Sequence, residues 1–153
     1  MQVTNHKHKL KYFKQMKKKQ INLIDRIVCN LSDDLLKKEY KNIPHRNKFT
    51  GHCYVASETY YHLSNKNLKV FHIKHENTTH WFLKDDNNNI IDITKDQFKK
   101  PVPYQKATRG FFLTKTPSKR SLKLIDKVIN TTNKKNKNYD ASYKAQTQIK
   151  LEL

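Results

Sequence analysis

Cys53, His80 and Asp92 are the three side chains whose types can combine into a reactive centre. A thiol becomes a strong nucleophile once it gives up its proton. An imidazole can take that proton, and a carboxylate can hold the imidazole in position and stabilise its charged form. The chemistry open to such a set is acyl transfer through a thioester. Cys53 lies in GHCYVAS, His80 in THWFLK and Asp92 in NIIDIT. Asp92 stands between Ile91 and Ile93, and an acid in a buried strand is costly unless it is paired.

Further residues would complete such a site. The backbone amide of Cys53 can hold an oxyanion, with His52 or Asn47 as a second donor, and Gln97 and Arg109 can line a cleft and fix the polar end of a substrate. A metal set of His72, His75, His80 and Cys53 is the competing use of the same residues. His72 and His75 lie three apart across a strand end, which does not point both inward. There is no C-x-x-C pair and no H-E-x-x-H, so neither a metal nor a cofactor is expected. With two glycines, the chain has no glycine-rich phosphate loop or dinucleotide fingerprint.

The elements that must position these residues follow from periodicity. Apolar residues from His8 to Leu31 recur at helical spacing. Ser32 is placed to cap a short helix, SDDLLKKEY, and residues 43–51 form a loop. A helix then begins at His52 or Cys53, where the helix start favours a thiolate, and Gly51 lets the chain turn sharply into it. Strands are expected over 68–73, 79–84, 89–94 and 109–115, with a helical turn at 95–98. A last helix starts at Ser118 with Leu122, Ile125, Val128 and Ile129 inward. The loop DDNNN marks a hairpin that sets Lys84 opposite Ile90 and Asp92 opposite Phe82. Asp92 is then the diagonal neighbour of His80, roughly 7–8 Å away at the backbone. A slip of one residue would send the two side chains to opposite faces. The expected architecture is α+β in one domain over residues 1–130, helical over 8–43 with the reactive core over 45–130, followed by a basic, polar, disordered tail over 131–153.

The chain carries 32 lysines and arginines against 13 acids, a formal net charge of +19. Codon bias accounts for lysine over arginine but not for so few acids. A field this positive favours nucleic acid or another polyanion as a partner, with KTPSKRSLKLIDK and NKKNKN as the segments placed to meet phosphates. No apolar run approaches transmembrane length, the N-terminus lacks the apolar stretch of a secretion signal, and two cysteines are too few for a disulfide framework. These features point to a reducing cytoplasm and no membrane span. Oligomeric state is left open.

GHCYVAS followed by THWFLKDDNNNIIDIT resembles the transglutaminase-like core of the transglutaminase/papain-like cysteine enzymes, over about residues 45–98. There a Cys opens a helix, a His followed by an aromatic begins a strand, and an Asp lies on the next strand with a Thr two residues on. The resemblance implies a Cys-bearing helix packed on a small antiparallel sheet. It also implies peptide or amide hydrolysis, deamidation or cross-linking of a protein or peptide substrate. Cys53 would be the nucleophile, His80 the base and Asp92 the orienting acid. The wider pattern, through DQF and GFFLTKTPSKR, is similar to small phage and bacterial proteins, which implies an effector acting in a host cytoplasm. The chain departs from larger members of the family in its size, its basicity and its lack of an evident substrate-binding domain. The competing expectation is a non-catalytic basic protein that binds nucleic acid or an acidic partner on a degenerate enzyme fold.

Overall fold

The structure, a computed structural model, describes residues 23–131. Two long strands set its frame: β1 spans Leu68–His75 and β2 spans Thr78–Asp85. They join through Glu76 and Asn77, which take φ of 44° and 63°. Positive φ at both turn residues gives a turn whose twist matches the flanking strands. β3 (Ile90–Ile91) and β4 (Thr108–Gly110) flank this hairpin in the order β3-β2-β1-β4, and every pairing is antiparallel. The chain is α+β, as its periodicity implies.

Alternation along the strands divides the apolar side chains between two faces. Leu68, Val70, Leu83 and Ile91 join the main core with Ile27, Leu35, Val55, Tyr60, Leu124 and Val128. These last come from the helical side: α1 over residues 23–29, a turn at Asp33–Leu35, α2 at Lys38–Lys41, α3 at Cys53–Leu63, and α4 over 119–131. On the other face Ile73 and Phe82 pack with Val102 under Phe71, Phe98, Tyr104 and Ala107. The segment after β3 therefore folds back over the sheet and carries its own small core.

α3 is the central helix, with buried residues from Cys53 to Tyr60. One of them is Glu58, fully buried. Its carboxylate accepts from the Ser118 hydroxyl at 2.6 Å, the Ser118 amide at 3.3 Å and the Ser121 hydroxyl. A carboxylate at the start of α4 satisfies donors that have no partner inside that helix and complements its dipole. The turn into α3 depends on Gly51, whose φ is +80°, and a Cβ there would lie 2.6 Å from Cγ of Tyr40.

The structure revises several boundaries. Residues 32–40 do not form one helix, because the Ser32 hydroxyl donates to the Asp34 carboxylate and accepts from Lys127 Nζ instead of capping the backbone. The third strand ends at Ile91, short of residue 94, since the Asp92 carboxylate accepts the Thr94 amide and turns the chain. The fourth covers Thr108–Gly110 and not 109–115. Past Gly110 the chain leaves the sheet, and the Leu113 amide donates to the Tyr54 hydroxyl. In α4 the inward face is Ser121, Leu124 and Val128, while Leu122 and Ile129 are exposed at 49% and 45%. Most of the helix expected over 8–31, and the tail over 132–153, lie outside the described residues. Among the described residues no helix is long and apolar enough to cross a membrane.

Gly51→Ala is expected to destabilise the fold by about 1–3 kcal/mol, since it adds backbone strain and a clash with the Tyr40 ring. Equilibrium urea unfolding of the variant and the parent checks this, with a lower midpoint expected for the variant.

Candidate active site

The site grows from an unfilled sheet edge. Residues two apart on a strand present their carbonyls to the same side, so Thr79, Trp81 and Leu83 share the edge of β2 that faces away from β1. β3 reaches only Leu83 and Lys84. The carbonyls it leaves free are taken by α3: the Ser57 hydroxyl donates to Trp81 O at 3.1 Å, and the Cys53 thiol lies 3.7 Å from Thr79 O. This docking sets the first residue of α3 beside the strand residue that precedes His80.

His80 shares a sheet face with Phe82 and is fully buried. Its ring meets Phe98 edge-on at 4.7 Å and stacks on Phe82 at 6.1 Å. Nε2 bonds the Asp92 carboxylate at 2.6 Å. The expected hairpin register is the observed one, with Leu83 opposite Ile91 and Lys84 opposite Ile90, and it is this register that puts Asp92 within reach. Asp92 is well satisfied: the carboxylate oxygen bonded to His80 also accepts the Tyr104 hydroxyl at 2.9 Å, and the other accepts the Thr94 amide at 3.2 Å. Burial and the nearby carboxylate both hold the Tyr104 phenol above its usual range, so it stays a donor.

Burial alone would push the His80 imidazole down. The hydrogen bond that Nε2 donates to Asp92 and the influence of Cys53 and of both charges outweigh it and raise the ring from 6.5 to about 9. With Nε2 held by Asp92, Nδ1 is the nitrogen left for Cys53. Gln97 is the remaining neighbour of Nδ1, at 3.4 Å. Its amide nitrogen donates to the carbonyl and hydroxyl of Thr94, both at 3.0 Å, which uses its two hydrogens. The longer contact with His80 Nδ1 is the weakest of the three that this nitrogen makes.

The other expected residues lie elsewhere. The Asn47 carbonyl oxygen accepts the Phe49 and Thr50 amides and its nitrogen donates to Asp96 O, so this side chain ties its loop to the segment after β3. The His52 ring is buried with Nε2 3.1 Å from Ser32 O, and burial holds its imidazole below the usual value. Arg109 sits on β4 over the rings of Phe71 and Phe111. His72 packs against Trp81, and His75 Nε2 bonds Lys100 O, so neither joins His80 and Cys53. Among the described residues no group of three or more His, Cys, Asp and Glu side chains converges as a metal site.

A cleft of about 330 Å³ opens onto Cys53, walled by Tyr40, Tyr54 and Trp81. Tyr104, Phe98 and the Thr79 carbonyl belong to the site and are not evident from short motifs. Only the aromatic residues after the Asp92 strand hint at them. Comparison with protein-family models, with curated proteins and with solved structures finds no match to this chain.

Because folding raises His80 from 6.5 to about 9, folding favours the protonated ring. That contribution is complete below about pH 6.5 and is lost as the pH rises through about 9. The urea midpoint is expected to fall across this window, and the His80-dependent part of the slope should vanish in His80→Ala. In a nitrogen-detected NMR titration, Asp92→Asn is expected to bring the His80 transition down from about 9.

Proposed function

We propose that this protein is a cysteine-dependent amide hydrolase or acyl transferase with a papain/transglutaminase-like core. The observation that carries the reading is a fully buried His80, clamped by Asp92 at 2.6 Å and raised to about 9 by that carboxylate and by Cys53, the first residue of an eleven-residue helix. Buried, charge-paired groups with shifted pKa values concentrate at reactive sites.

Sγ of Cys53, as thiolate, attacks the acyl carbon and the charge passes to the carbonyl oxygen, with the Cys53 backbone amide as its proposed donor. The C–N bond breaks, and Nδ1 of the His80 imidazolium gives its proton to the leaving amine. Water or a second amine then loses a proton to Nδ1 and attacks the thioester. The C–S bond breaks and the thiolate returns. Asp92 keeps Nε2 occupied throughout, and Tyr104 keeps Asp92 in place. A reducing cytoplasm, where the thiol survives, suits this chemistry.

Cys29 is the exposed thiol and Cys53 the buried one, so accessibility alone favours Cys29. The proposal reverses this order. Iodoacetamide near neutral pH is expected to alkylate Cys53 about tenfold faster than Cys29, as read by peptide mass mapping, and His80→Ala should abolish the difference. Equal, slow labelling of both thiols would sink the reading.

A second reading has its own observation. On the sheet face away from α3, the half-buried ring of Phe71 carries Lys84 Nζ at 4.5 Å and the Arg109 guanidinium at 5.8 Å. An aromatic platform flanked by cations suits single-stranded nucleic acid without sequence readout. Retention on a single-stranded oligonucleotide should then be steeply salt-dependent, survive Cys53→Ala and weaken about tenfold in Phe71→Ala. No retention at low salt would discard it.

A further inference from the structure

The cleft over Cys53 carries three cations and no acid: Lys37, Lys74 and Arg120. In a chain with 32 lysines and arginines, cations in a cleft are unremarkable by number alone. Their position sets these three apart, since they converge on one cleft and no carboxylate lines it. Elsewhere Asp34 takes Lys123 and Lys127, Asp33 takes Arg46, and Asp85 and Asp86 take Lys66 and Lys69. None of the three cleft cations is ion-paired with a carboxylate among the described residues.

Arg120 is the most committed of them. It is half-buried, and one guanidinium nitrogen donates to Leu35 O at 3.0 Å. That anchor fixes the planar group while leaving its other donors unused, which costs little ordering when a planar or tetrahedral anion arrives. Lys37 comes from the segment before α2 and Lys74 from β1, so the charges approach the cleft from three separate elements. Tyr54 and Trp81, edge to face at 5.2 Å, supply an apolar wall between them. Low-dielectric walls with charge of one sign concentrate the field at the mouth of the cleft.

We infer that this cleft is a subsite for an anionic group, and that the preferred substrate is a peptide with a carboxylate or phosphate next to the reacting acyl group. The inference rests on the cysteine-enzyme reading for its chemistry but on Lys37, Lys74 and Arg120 for its specificity. Such an anion meets three cations that make no ion pair with a carboxylate of the described residues. A cationic neighbour meets three like charges.

The experiment uses the full chain and four chloroacetyl-capped tripeptides in which the residue beside the chloroacetyl group is Asn, Asp, phosphoserine or Lys. Labelling of Cys53 is followed by mass spectrometry at low salt, with Cys29 as the internal standard. The Asp and phosphoserine probes are expected to label Cys53 about tenfold faster than the Asn probe, with Lys slower still, and 0.5 M salt should level the series. Lys74→Gln, on an exposed strand position, should reduce the preference several-fold. Arg120→Gln should remove most of it. Phosphoserine ahead of Asp identifies a phosphorylated peptide as the source of the anion, and Asp equal or ahead identifies an acidic one; both support the subsite. Equal rates for Asn, Asp and Lys, or a preference that survives both substitutions, would overturn it. The Asn probe alone reports on the underlying reading. If it labels Cys53 no faster than Cys29 while the charge preference holds, the anion site stands and the cysteine-enzyme reading falls.

Discussion

The hydrogen bond between His80 and Asp92 is the contact around which the small second core is built. Two ionisable groups are taken out of water together, at 0% and 2% side-chain exposure. Neither could be buried alone without a large penalty. Their presence explains why the chain after β3 turns back across the sheet. Thr94 and Tyr104 give Asp92 its remaining donors, while Phe98 closes one side of the His80 ring. Most of the segment from Asp92 to Tyr104 can be read as a cover for one polar pair.

The same contact connects the two sides of the sheet. Phe82 and Ile73 form one face with His80, while Val70 and Leu83 face the helices. Cys53 belongs to the helical side and Asp92 to the covering segment. His80 sits where the edge of β2 away from β1 has no strand neighbour, and it links the two. The thiol and the carboxylate are thus carried by different layers, with a single strand residue joining them. Glu58 does comparable work at the far side of α3, where its carboxylate receives the start of α4. Two buried carboxylates of quite different role therefore fix what lies in front of α3 and what lies behind it.

Much of this was legible in the residues themselves. The hairpin register follows from the length of the DDNNN loop, because a period of two leaves only one alignment that keeps Leu83 and Ile91 inward. The start of the helix at Cys53 follows from Gly51 and the spacing of the apolar residues after it. What could not be read depended on tertiary partners. Ser32 looks like a cap until Asp34 and Lys127 compete for its hydroxyl. Asn47 looks like a free donor until the loop uses both ends of its amide. Leu122 and Leu124 are equally apolar, and only the placement of α4 against α1 and α3 decides which is inward. Tyr104 carries no local signature, since its role exists only once the chain has crossed the sheet to Asp92.

The brevity of β3 has a consequence beyond the site. A strand edge with free carbonyls is a template for pairing with another chain, and proteins shorten, charge or cover such edges. Here the open stretch of β2 is covered by α3, through Cys53 and Ser57. The opposite margin of the sheet is β4, only three residues long and bearing Arg109. The helix that presents the thiol is thus also the guard of the sheet's longest unpaired edge, so that any loosening of α3 would expose a surface on which a second copy of the chain could begin to add strands.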